Sequence, residues 1–68
     1  ELKVWRDGYP DPLTVGLAQL DSYLAGLGLD TGWLILFDRR SGQLPIAERT
    51  GSAEQTSPQG RRIQVVRA

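Results

Sequence analysis

No cysteine, histidine or methionine occurs in this chain of 68 residues. Without cysteine, no disulfide can brace a chain of a size that buries only about 60% of its unfolded surface. Without cysteine and histidine the usual zinc ligands are missing. A Cys nucleophile and any Ser-His or Cys-His pair are excluded within the chain as well. Oxygen ligands remain, and these favour magnesium, manganese or calcium. An excess of one charge is also lacking, since eight Lys and Arg balance eight Asp and Glu. That balance argues against strong non-specific affinity for nucleic acid by this chain alone. No apolar run approaches the roughly 20 residues of a membrane helix, so no membrane partner is expected. The absence of cysteine fits the cytoplasm. The absence of methionine leads to the expectation of a segment cut from a longer chain.

What is present divides by periodicity. Residues 1–5, "ELKVW", alternate and read as a strand, with Leu2 and Val4 on an apolar face and Glu1, Lys3 and Trp5 on the other. "RDGYPDP" is turn chemistry. The spacing then predicts a helix over 12–27. Leu13, Leu17, Leu20, Leu24 and Leu27 recur at four, three, four and three residues and form one stripe. Asp11 suits the N-cap, Pro12 the first helical position and Gly28 the left-handed stop. Gly16, within the helix, suits a close approach of helix to sheet.

"WLILF" and Asp38 make a strand over 33–38, with the look of one buried on both faces. "QLPIAER" reads as a short edge strand or a helical turn. Residues 43–60 as a whole read as a polar loop, and 61–67, "RRIQVVR", as a last strand. The expected fold class is therefore α/β, with a strand–helix–strand parallel crossover and a C-terminal strand.

Two constellations can bear chemistry. Glu1 and Lys3 stand two apart on a strand and share a face. A carboxylate there can hold a hard divalent cation, and an ammonium beside it can orient a water and stabilise charge on a phosphate. The same spacing describes a solvated charge pair. Gln19 and Tyr23 stand i, i+4 on the helix, beside the leucine stripe. They can orient a water or a phosphate oxygen, or simply mark the helix boundary, with Tyr23 half in the core. Arg39-Arg40 and Arg61-Arg62 flank apolar strands. They suit phosphate contacts or, as the preferred reading, solvated strand ends that discourage edge pairing. Asp38 reads as a turn former.

A strand with E-x-K, a helix with Q-x-x-x-Y and an apolar strand ending in Asp resembles the PD-(D/E)XK nuclease superfamily, in particular its RecB-like branch. Residues 1–40 also resemble the C-terminal nuclease-like domain of predicted AAA-type P-loop ATPases. The resemblance implies a truncated restriction-endonuclease-like core. Glu1 would be the second acidic metal ligand, and the Leu2 carbonyl a further ligand. Lys3 would stand beside the attacking water, with Gln19 and Tyr23 as the auxiliary pair. Mg or Mn would serve the intact domain, and none is expected on this chain. DNA and a P-loop ATPase domain of the same parent chain are the implied partners. The superfamily's first acidic residue lies on a strand before Glu1 and has no counterpart here, so the chain alone is expected to be inactive.

Two other readings stay open: a non-catalytic interaction or DNA-positioning module of an ATPase, and an unrelated small α/β domain. The nuclease reading requires Glu1 and Lys3 to face the Gln19 side of the helix. An open strand edge and an uncovered sheet face lead to the further expectation of self-association.

Overall fold

The computed structural model describes residues 1–43 and 50–68. Strand β1 spans Leu2–Trp5, helix α1 Leu13–Leu27, β2 Thr31–Asp38, β3 Gly51–Thr56 and β4 Arg62–Arg67. The strands form one sheet in the order β1-β2-β4-β3. β1, β2 and β4 run parallel, and β3 lies antiparallel to β4. The fold is thus mixed α/β, with the parallel β1–α1–β2 crossover and a C-terminal strand.

Helix α1 covers one face. Leu20 and Leu24 interlock there with Leu34, Leu36, Ile63 and Val65, and Leu13 and Leu17 pack at the margin. Full burial of each large apolar side chain stabilises by about 1.5–3 kcal/mol. Leu27, at the end of the leucine stripe, is exposed. The helix stops at Gly28, in the left-handed conformation. The Gly28 and Leu29 N–H groups donate to the Ala25 and Leu24 carbonyls, satisfying acceptors that the helix leaves open. At the other end, Asp11 Oδ1 accepts from the Leu13 N–H at 3.0 Å. Asp11 thus acts as a cap from one position further out than the sequence suggests, with Pro12 standing at the N-cap.

Two glycines set the distance between helix and sheet. A Cβ on Gly16 would lie 3.0 Å from Leu34 Cδ2, and one on Gly32 would lie 2.9 Å from Leu24 Cδ1. Gly32 sits inside β2, which begins two residues earlier than its apolar run implies. A leucine from the helix fills the space its side chain would need.

Three expectations are corrected. Residues 43–60 are not one loop, because Gly51–Thr56 pair along β4 as an edge strand. All six residues of β3 are exposed, so no apolar alternation betrays it. It is held by its backbone ladder and by the turn Ser57–Gly60, where the Gly60 N–H donates to the Ser57 carbonyl. The edge-strand or helical-turn alternative for "QLPIAER" falls on 44–49, outside the described residues.

β1 turns its Lys3 side to the helix. Lys3 pairs in register with buried Leu36. Leu2 and Val4 lie on the open side, 63% and 42% exposed. Second, β2 is covered on one face only among the described residues, since Trp33 is 62% exposed on the same open side. Third, the arginines preceding and opening β4 guard no edge, because β4 lies inside the sheet.

Candidate functional site

The E-x-K residues and the helix meet on one side of the sheet. Glu1, although outside the assigned strand, extends the β1 ladder, its carbonyl accepting from the Ile35 N–H at 2.9 Å. The Trp5 carbonyl accepts from the Arg39 N–H at 2.8 Å. Carbonyls alternate along a strand, so those of Leu2 and Val4 point away from β2, to the open edge. The Lys3 stem runs against the helix, its Cγ 3.5 Å from the position a Gly16 Cβ would take. Lys3 Nζ lies 3.6 Å from Glu1 Oε2, and both side chains are about a quarter exposed, at 26% and 29%.

Gln19 and Tyr23 are exposed on α1. Neither forms a side-chain hydrogen bond to Glu1 or Lys3 among the described residues. Tyr23 is therefore not half in the core, as the boundary reading supposes. Gly16 and Gln19, three apart on the helix, nevertheless place the Glu1–Lys3 face and the Gln19 flank on the same side of the sheet.

A divalent cation needs more oxygen than this site provides. The carboxylate of Glu1 is already beside an ammonium. Among the described residues no three acidic side chains converge. One carboxylate and one outward carbonyl fall short of the near-octahedral shell of magnesium. The residues present do not fit a complete metal centre.

Beside Lys3 a cleft of about 450 Å³ opens between β1 and the segment leading into α1. Arg6, Tyr9, Pro10, Asp11 and Val15 also line it. Asp11 Oδ2 is paired with Arg67 Nη2 at 3.0 Å. Arg6 has no ion pair among the described residues.

A second polar cluster lies at the carboxyl ends of the parallel strands. Arg40 grips Asp38 through two hydrogen bonds of 2.9 and 2.7 Å. The Asp38 contact raises the Arg40 pKa above its ordinary value. The Arg40 guanidinium lies 3.4 Å from the centre of the Trp5 ring. Asp7 accepts from the Ser41 N–H and hydroxyl, closing this end. Asp38, the last residue of β2, and Arg40 thus brace the turn that follows, so Arg40 is not the solvated strand end expected of it.

A third cluster was invisible in the sequence. Asp21, buried on α1, accepts from the Ser57 hydroxyl at 2.6 Å, Arg61 Nη1 at 2.9 Å and the Gln59 N–H at 3.2 Å. Arg61 Nε also donates to the Leu29 carbonyl at 2.9 Å. Arg61 is therefore an internal brace rather than a solvated strand end. The only sequence signal for it is a lone Asp on the flank of a leucine stripe.

No family model, curated protein or solved structure matches the chain. No helix among the described residues is long and apolar enough to cross a membrane.

Proposed function

We propose that the chain is one edge of a metal-dependent DNA nuclease-like domain and performs no chemistry alone. The observation that carries this reading is the placement of Glu1 and Lys3 under the N-terminal half of α1, on the face that Gln19 flanks. The parallel β1–α1–β2 order and the outward Leu2 carbonyl agree with it. In this reading Glu1 and the Leu2 carbonyl contribute to a Mg or Mn site. The remaining acid comes from a strand before Glu1. Lys3 then stands beside the attacking water, with Gln19 and Tyr23 as auxiliaries. Its setting is cytoplasmic, and a P-loop ATPase domain is the neighbour in the same chain. The self-neutralised Glu1–Lys3 pair favours a second reading, a domain that positions DNA without cutting it.

The test is to titrate Mn²⁺ into the chain and assay cleavage of supercoiled DNA, then repeat both with the preceding strand included. The chain alone is expected to show no saturable binding below about 1 mM, the weak end of oxygen-ligand sites. The longer form is expected to cut, and Lys3→Ala to slow it by about 10²–10³-fold, typical for loss of a charge-stabilising donor. Metal binding without cleavage would favour the positioning module. Neither binding nor cleavage would sink the nuclease reading.

A further inference from the structure

The face of the sheet opposite α1 is apolar, and no other described element covers it. Leu2, Ile35 and Val66 stand in register across β1, β2 and β4. Val4 and Phe37 form the next row, and Trp33 projects from β2. Around these six side chains the rim is polar, with Thr31, Arg62, Gln64 and Glu54 on the same face. A contiguous apolar patch with a polar rim marks an interaction surface.

We infer that this face docks on the same face of a second copy of the chain, sheet against sheet. Three observations select that occupant. The patch is a broad sheet surface rather than a groove, and twisted sheets pack aligned, face to face, about 10 Å apart. Arg62 and Glu54 give the rim charges of both signs, and the chain has no net charge, so no strong repulsion between like copies is expected. The size suits a weak contact. The strands hold four, eight, six and six residues, which at about 3.3 Å per residue and about 4.8 Å per strand give a face of roughly 380 Å². Two such faces bury on the order of 800 Å², at the weak, transient end of interface sizes. Trp33, exposed at the patch, is the expected anchor.

The dimer is therefore weak and concentration-dependent. Sedimentation equilibrium over a rising concentration series is expected to show monomer passing to dimer. Trp33→Glu is expected to weaken association at least tenfold while far-UV circular dichroism stays unchanged. In the unaltered chain, acrylamide quenching of tryptophan fluorescence is expected to fall as the dimer forms, because Trp33 becomes shielded. This second measurement does not depend on how the variant folds. A monomer throughout, as for a face reserved for another protein, overturns the inference. So does a dimer that withstands Trp33→Glu in a folded variant, or quenching that is unchanged on association, since either would place the contact elsewhere, for example on the β1 edge.

Discussion

Ser57 Oγ lies 2.6 Å from Asp21 Oδ1, joining two buried side chains 36 residues apart. The bond ties the middle of α1 to the turn between β3 and β4. Arg61 closes the knot, donating to Asp21 through its side chain and to Ser57 Oγ through its N–H at 2.9 Å. Every polar group in this cluster has a partner, which is what permits a carboxylate at 3% exposure.

The Ser57 hydroxyl holds the Asp21 carboxyl below its ordinary value. Burial opposes this, and Arg61 and the Gln59 N–H reinforce it. A carboxyl with a lowered pKa stabilises the fold above its unfolded value of about 3.9. That contribution is lost as pH falls through the folded value. Asp21→Asn is therefore expected to melt several degrees below the unaltered chain at neutral pH. The gap is expected to close as both are acidified below the folded value. Thermal melts followed by circular dichroism check this, and a gap independent of pH would show that the charge is not the source.

Gly16 and Gly26 lie in the same helix and predict opposite results. Alanine at either gains about 1 kcal/mol of helix propensity. At Gly26 nothing stands within 4 Å of the new methyl group, so Gly26→Ala is expected to stabilise by about that amount. At Gly16 the methyl group meets Leu34 at 3.0 and 3.1 Å. Leu34 has no exposed surface and little room to move. Overpacking costs about 1–3 kcal/mol, so Gly16→Ala is expected to be destabilising on balance. For a domain of this size, 1 kcal/mol is about 4–8 °C in Tm. Urea melts of the two variants give the sign directly.

Arg40 stacks on Trp5 while holding Asp38 in a fork. Lysine cannot reproduce the planar stack and the two parallel hydrogen bonds together. Arg40→Lys is thus expected to change the near-UV circular dichroism of Trp5 nearly as much as Arg40→Ala. A spectrum for Arg40→Lys that matches the unaltered chain would show that charge alone suffices there.

Local periodicity made much of the fold legible. The leucine stripe, the Gly28 stop and the apolar run of β2 each follow from side chains adjacent in sequence. β3 was not legible, because a polar strand at a sheet edge gains its order from backbone bonds to β4. Which face of β1 the helix covers was not legible for a related reason. Its two faces differ in polarity, but which one the helix covers depends on register. Lys3 lies with Leu36 under the helix, and its flexible stem fits beside Gly16.

The candidate site divides in the same way. Glu1, Lys3, Gln19 and Tyr23 stood out by spacing, and spacing alone put each pair on one face of its element. Tertiary structure decided that Lys3 neutralises Glu1, that Gln19 and Tyr23 stay exposed, and that Asp21 and Arg61 form a buried brace. By itself the sequence determined the helix, the parallel crossover and the lack of cysteine or histidine chemistry, because these depend on composition and short-range periodicity. The buried brace, the edge strand and the uncovered apolar face depend on residues far apart in the chain, whose meeting only the packed sheet and helix bring about.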